Sequence, residues 1–471
     1  MVYSWMARLH PIAIYVNQSV CLTRMGAWSC VRHVDAGPSA KIIAVAKCQV
    51  FVASRQVRVT SRCHHRGSEL ATPSGREDAN ACRLPTGGAV VGLNVIGVRR
   101  DSLSNVGTAD REVADPNPMY TAGWSRPKPK EPRLMKAFAI DRYRKGGRLR
   151  AAEMPKPLLG DNDVLVEVHA AGVNLLDSKI RDGEFKLVLR YRMPLILGND
   201  VAGVVAQVGS RVRGFKPGDE VYARPDKDRI GTFANFIAMD ECDVAYKPTN
   251  LSMDEAASIP LVGLTAWQAL VEIANLQRGQ KVFIQAGSGG VGTIAIQLAK
   301  HLGAMVATTC SPASFDLVKG LGADVVINYK AEDFETVLSN YDVVLHSQDD
   351  AALKKSLRIL KPGGKLVSIS GPPDPAFGKE MGSPWFVRLL FGLLSFGTRR
   401  QARRLGTRFV FLFMRASGEQ LQEITKLINS GVIRPVMDKV FPFEATNEAM
   451  AYVETGRAKG KVAITVKGSQ S

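Results

Sequence analysis

The stretch Lys281-Val-Phe-Ile-Gln-Ala-Gly-Ser-Gly-Gly-Val-Gly-Thr-Ile-Ala-Ile-Gln-Leu-Ala-Lys300 limits the possible folds of this chain more than any other. Residues 282–285 read as a short apolar strand, and 293–302 have helical apolar spacing that stops at Gly303. Between them lies Gly287-x-Gly289-x-x-Gly292. One glycine permits the tight turn, the next lets backbone approach a pyrophosphate, and the third lets helix pack on strand. Free N–H groups at the helix start, around Gly290 and Val291, then face the phosphates. The spacing alone is weak; strand, turn and helix in the required order make it specific. The series continues with a strand at 305–309, a helix at 315–321 and a strand at 324–328. Further strands follow at 341–345 and 365–370, the last after the turn Lys361-Pro-Gly-Gly364. Strands alternating with helices predict an α/β fold with a doubly wound parallel sheet and the cofactor at its carboxyl edge.

The end of the second strand reports on the ribose. An NAD site places an acid there for the 2′-hydroxyl. This chain has Thr308-Thr-Cys-Ser311 and no acid before Asp316, so NADPH is predicted, with Thr309 and Ser311 near the adenosine phosphate. The adjoining Pro312-Ala-Ser314 provides no positive partner.

Charge divides the chain. Residues 1–133 hold 18 basic and 9 acidic side chains, half of the net +18 in little more than a quarter of the length, and five of the seven cysteines. They show little sustained periodicity and end in the linker-like Arg126-Pro-Lys-Pro-Lys-Glu-Pro132. A targeting presequence, a metal site at Cys63-His64-His65 and a nucleic-acid tail are the functional readings this segment allows. None has the full pattern its chemistry requires. The expectation is a poorly ordered basic extension without a catalytic role, either a presequence or translation begun upstream of Met135. The two cysteines of the body suit a reducing cytoplasm. The longest apolar stretch, 385–396, contains Arg388 and Gly392 and falls short of the about 20 residues a membrane span needs.

From about 135 to 467 the chain resembles the zinc-independent medium-chain dehydrogenase/reductases, in particular the quinone oxidoreductases and alkenal (enone) reductases. The motifs are Ala171-Gly-Val-Asn-Leu-Leu-Asp-Ser-Lys-Ile-Arg-Asp-Gly183, Leu197-Gly-Asn-Asp-Val-Ala-Gly-Val-Val205 and Phe215-Lys-Pro-Gly-Asp-Glu-Val221. Ala256-Ala-Ser-Ile-Pro-Leu-Val-Gly-Leu-Thr-Ala-Trp267, the glycine turn and Gly456-Arg-Ala-Lys-Gly-Lys461 complete the set. The resemblance implies a β-rich, GroES-like catalytic domain at 134–259 and a Rossmann domain at 260–414. Within the latter, the apolar stretch 385–396 beside Arg399-Arg400-Gln-Ala-Arg403-Arg404 reads as a lid insertion near 374–408 over an apolar substrate, with a helix lying on a membrane surface as the alternative. Residues 415–471 would return to the catalytic domain, and the protein would be a homodimer with an apolar quinone or enone as substrate. Asn174 and Asn199 stand where zinc-dependent relatives have ligands, so no metal is expected. Hydride would pass from NADPH to a quinone or an α,β-unsaturated carbonyl.

For the site, the resemblance puts Asn174 in the catalytic role and Asp177, Tyr191 and Asn199 at the substrate pocket. Asp177 was also expected to pair with Arg181. The resemblance carries Thr265 and the backbone of Phe411-Leu-Phe413 to the nicotinamide side, Gly289 to Gly292 to the pyrophosphate, and Ser311 and Tyr329 to the adenosine phosphate, where the Tyr329 ring can stack on adenine. Ser370 and Gly371, at the end of the fifth strand, are also expected at the cofactor. Lys461 would reach a phosphate. After the fourth strand, Leu345-His-Ser-Gln-Asp-Asp350 replaces the family's Asp-x-x-Gly-Gly, which offers His346 as an acid/base group and Asp349 and Asp350 as charges hostile to phosphate. A zinc-type alcohol dehydrogenase and a non-enzymatic NADPH- or RNA-binding protein remain the alternatives, although no nucleic-acid recognition motif is present.

Overall fold

The computed structural model describes residues 134–186 and 188–467, together with four short strands between residues 14 and 44. Those strands, Ile14–Val16, Ser19–Arg24, Ala27–Arg32 and Ile43–Ala44, pair in sequence order as an antiparallel meander, which the weak periodicity before residue 134 did not predict. The rest of the expected extension lies outside the described residues.

The β-rich lobe is built around Asp163–Val173, an 11-residue strand buried along most of its length. Asp200–Val208 pairs antiparallel on one side of it and Lys461–Thr465 on the other. Glu220–Ala223 and Val244–Tyr246 extend the sheet beyond the first, and Met437–Pro442 beyond the second. Leu134–Ile140 forms a separate small sheet with Arg150–Pro155 and Leu195–Ile196. The chain therefore leaves this lobe after residue 246 and re-enters it for its last two strands.

Between those passages lies a six-stranded parallel sheet. Its spatial order is Val325–Asn328, Met305–Cys310, Lys281–Ile284, Tyr341–His346, Leu360–Ser368, Arg408–Phe411. In chain order this is 3-2-1-4-5-6, the doubly wound dinucleotide-binding arrangement, with its switch point between the first and fourth strands. Tyr341–His346 is buried throughout, as a central parallel strand with covered faces must be. The fifth strand begins at Leu360, earlier than predicted. The Pro-Gly-Gly turn is absorbed as an irregularity where Gly363, at φ 83°, donates to the Gly406 carbonyl. Among the described residues no helix is long and apolar enough to cross a membrane.

Candidate functional site

The turn after Lys281–Ile284 is fixed from its neighbours. Gly287 N donates to the Thr309 carbonyl (2.9 Å), and Ala286 N donates to Thr309 Oγ1 (3.2 Å). Thr309 thus braces the turn. A Cβ on Gly292 would lie 2.4 Å from the Ala286 carbonyl, so only glycine lets the helix Gly290–His301 start this close to the strand. No side chain caps that helix. The N–H groups of Gly290, Val291 and Gly292 therefore have no partner within the helix and open on a partly exposed rim, a fit for a pyrophosphate.

At the second strand's end, Ser311 is half-buried at the start of the turn Pro312–Ser314, and Tyr329 is exposed just beyond the third strand. A positive group comes to this turn from the other end of the chain, where Lys459 Nζ donates to the Ala313 carbonyl at 3.0 Å. Sequence reasoning missed it because the two positions are 146 residues apart.

The loop after the fourth strand is turned on itself. Asp349 caps the helix Asp350–Arg358, accepting from Ala352 N at 2.8 Å, so its charge serves a helix start. His346 is fully buried, with Nδ1 2.8 Å from Ser368 Oγ and Nε2 3.1 Å from the Asp349 carbonyl. Burial holds its pKa below the usual histidine range. Nδ1 ties two strand ends together and Nε2 ties the ring to the start of the next helix, so both nitrogens are engaged internally and not free for acid/base work. Ser370 Oγ bonds the Gln348 carbonyl, and Gly371 N bonds Ser368 Oγ. Asp350 faces a cavity of about 520 Å³ also lined by Pro372, Pro373 and Leu394.

Strand register assembles the central cluster. Val462 lies opposite Val173 and Gly172 opposite Asp200, so Asn174, Asp200 and Lys461 meet at one sheet end. Gly172 leaves the space: a Cβ there would sit 2.8 Å from Asp200 Oδ2 and 2.4 Å from the Ala257 carbonyl. Asn174 Nδ2 donates to Asp200 Oδ2 (2.9 Å), and Asn174 Oδ1 accepts from Lys461 Nζ (2.5 Å). Lys461 Nζ also reaches Asp200 Oδ2 at 3.3 Å, and Asp200 Oδ1 accepts from Leu261 N at 2.7 Å. All three side chains are at least nine-tenths buried. The amide has one consistent orientation, nitrogen to carboxylate and oxygen to ammonium. Its second N–H has only the Gly172 carbonyl at 3.5 Å. Lys461 was expected at a phosphate; instead its stem passes the turn, 2.8 Å from where a Gly290 Cβ would be, and its head enters the cluster. The preceding Gly460 N donates to the Ser288 carbonyl (2.8 Å), tying cluster and turn together.

Asp177 and Asn199, expected at the substrate pocket, bond each other in the interior. Asp177 accepts from Asn174 N (2.8 Å) and Asn199 Nδ2 (2.7 Å), and both residues are fully buried. Arg181 pairs with Asp182 and Glu454, not with Asp177. Burial pushes the Asp177 carboxyl up to about 7, against the pull of its hydrogen bonds from Asn199 and Asn174. Between its ordinary value of 3.8 and about 7 the folded state holds a proton that the unfolded chain releases. The stability from this group is thus full below the lower value and lost as pH rises through the upper one. In urea unfolding, the difference between wild type and Asp177→Asn should shrink across that window by up to about 1.4 kcal/mol per pH unit. Parallel profiles would refute it.

Tyr191 donates to the Lys227 carbonyl (2.7 Å), and Thr265 is buried with its hydroxyl on the Leu261 carbonyl (2.7 Å). An aromatic run crosses between lobes: Phe185 meets Phe413 (ring centres 6.1 Å apart), and Phe413 meets Phe377 (5.3 Å). Phe377 also touches Phe411 (5.2 Å).

Residues 160–250 match the family described as the alcohol dehydrogenase GroES-like domain, and 321–464 match the one described as zinc-binding dehydrogenase. A mitochondrial NAD(P)H oxidoreductase of Danio rerio is 35% identical over 364 residues, 72% of this chain and 92% of that protein. The 2-methylene-furan-3-one reductase of Solanum lycopersicum is 36% identical, over 71% of this chain and 79% of that one. Among solved structures, the quinone oxidoreductase from Coxiella burnetii superposes with a TM-score of 0.63 at 30% identity. It covers 71% of this chain and 100% of its own.

Proposed function

Since this chain belongs to the medium-chain dehydrogenase/reductase family, we propose that it is an NADPH-dependent reductase of quinones or enones that works without zinc. The observation that carries the reading is the buried ammonium–amide–carboxylate cluster tied to the phosphate turn. Among the described residues no three His, Cys, Asp or Glu side chains converge, and the ammonium of Lys461 stands within the cluster and repels a cation.

Bound NADPH supplies the hydride. As hydride adds to the β-carbon of an enone, the electrons of the double bond move to the carbonyl oxygen. With a quinone, charge develops on an oxygen in the same way. Asn174 is the donor aimed at that oxygen, through the N–H held only weakly by Gly172. Lys461 and Asp200 act as positioning residues, polarising the amide from its two ends and fixing its direction. Asp177 and Asn199 hold the Asn174 backbone from below, and Tyr191, Phe185 and Phe413 form the apolar wall. Water supplies the proton that completes the product.

The 2′-phosphate falls to Thr309, Ser311 and Lys459, the adenine to Tyr329, and the nicotinamide side to Thr265, Ser370, Gly371 and Phe411. A homodimer in a reducing cytoplasm completes the proposal; the organelle-directed names of relatives make an organellar address for the extension the competing one. The test is cofactor consumption by the full chain with a quinone and with an enone. NADPH should be preferred over NADH, turnover should be unchanged by a zinc chelator, and Lys459→Glu should cut the preference about tenfold, the worth of one charge-assisted hydrogen bond. Equal use of NADH, or loss with chelator, would overturn the reading.

A further inference from the structure

Between Glu380 and Glu419 the chain carries seven arginines, at 388, 399, 400, 403, 404, 408 and 415, and no acidic residue. Among the described residues only Arg415 is in an ion pair, with Glu272. Two helices, Trp385–Leu394 and Phe396–Arg404, meet at Ser395 within this segment. The first is fastened to the body through Phe391, whose buried ring lies 5.7 Å from that of Phe377. At 100° per residue, Trp385, Phe386, Leu389, Leu390 and Leu393 share the half of the helix away from Phe391, and all five are exposed, Trp385 at 71% and Leu393 at 67%. On the second helix Ala402 turns inward, while Phe396, 53% exposed, falls on the same side as Arg399, Arg400, Arg403 and Arg404.

A soluble surface does not ordinarily leave so many large apolar side chains contiguous and uncovered. What covers them must also answer the arginines. A second copy docked across a two-fold axis would bring the same unpaired arginines face to face, because such an interface pairs a patch with itself. A nucleic acid would meet the charge and leave Trp385, Leu389 and Leu393 in water. An anionic bilayer surface meets both demands: the headgroup–acyl boundary takes the apolar half, and the phosphates and carboxylates take the arginines.

We propose that these two helices dock, lying flat, on an anionic lipid surface. The contact does not rest on the reductase reading, but it has a consequence there. Phe391, Phe377, Phe413 and Phe185 form a continuous aromatic path from the docking helix to the β-rich lobe that also carries Asn174, so an apolar acceptor dissolved in the bilayer would enter on that side.

The test is co-sedimentation of the full chain with vesicles of phosphatidylcholine alone and of phosphatidylcholine with phosphatidylserine, at low and high salt. Two variants are compared, Trp385→Ser/Leu389→Ser/Leu393→Ser and Arg399→Glu/Arg403→Glu. The expected result is binding to the phosphatidylserine vesicles at least about tenfold tighter than to neutral ones, weakened by salt, and reduced on the order of tenfold or more in each variant. NADPH turnover on a water-soluble acceptor should persist in both variants, which reports that they are folded. Absent binding, or equal binding to both vesicle types, would overturn the proposal. So would binding that survives both substitutions, which would place the lipid contact elsewhere, for example in the arginine-rich first 133 residues. A change of lipid-free oligomeric state in the apolar variant would also overturn it, since the face would then belong to a second copy.

Discussion

Lys461→Met is expected to destabilise the fold by about 3–5 kcal/mol, because removing one member of a buried ion pair leaves the other without compensation. Asp200 would keep two donors, Leu261 N and Asn174 Nδ2, but would lose the ammonium with which, among the described residues, it is ion-paired. Asn174 Oδ1 would lose its donor, and the amide would be free to turn. Turnover should fall with it. A preorganised donor aimed at a developing oxyanion is worth on the order of 10²–10³ in kcat, and here the donor's direction is set by the lysine. Stability and direction separate in the double variant Asp200→Asn/Lys461→Met. No buried charge remains there, so most of the lost stability should return in denaturant unfolding. The amide is then held by neutral groups alone, so kcat should stay low. Recovery of both together would mean that the cluster is purely structural.

That cluster marks the limit of what could be read in the sequence. The glycine turn and the alternation of strands with helices follow from local pattern, because one strand, one turn and one helix span a few residues and their spacing is visible along the chain; Asn174 comes from the family resemblance. The partners of Asn174 follow from neither. Lys461 reaches Asn174 only through the pairing of Val462 with Val173, and Asp200 only through the register that sets it beside Gly172. Neither register leaves a trace in spacing. The same holds for Lys459 at the Ala313 carbonyl, which repairs a missing charge from across the chain. Asp349 erred in the opposite direction. It is a charge hostile to phosphate only where it faces one, and an aspartate three residues before the amide it caps is a helix-start signal, which the expected cofactor loop obscured. The helix Trp385–Leu394 is apolar in composition, yet Phe391 is its one buried residue. Composition reveals that a helix is apolar but not which half finds a partner.

Gly289→Ala and Gly292→Ala should separate cofactor binding from folding within a single turn. Gly289 sits at φ −83° and ψ 171°, extended backbone open to any residue, and an added Cβ meets only the Ala286 carbonyl, at 3.3 Å. Its melting temperature should barely move. The new methyl group would nevertheless stand where backbone has to approach the pyrophosphate, so NADPH affinity should fall about tenfold or more, a loss of about 1.4 kcal/mol or above. Gly292 differs in kind. Its Cβ would lie 2.4 Å from the Ala286 carbonyl and 2.7 Å from Gly287 Cα, both backbone atoms that cannot swing aside. The helix would have to move off the strand, a strain of about 1–3 kcal/mol of the sort that overpacking costs. Thermal unfolding and NADPH titration by fluorescence on both variants check this. The expected pattern is a stable Gly289→Ala protein that binds poorly and a Gly292→Ala protein that is destabilised even without cofactor. Unchanged NADPH affinity in Gly289→Ala, in protein shown to be folded, would remove the phosphates from this turn and with them the placement of the hydride donor beside Asn174.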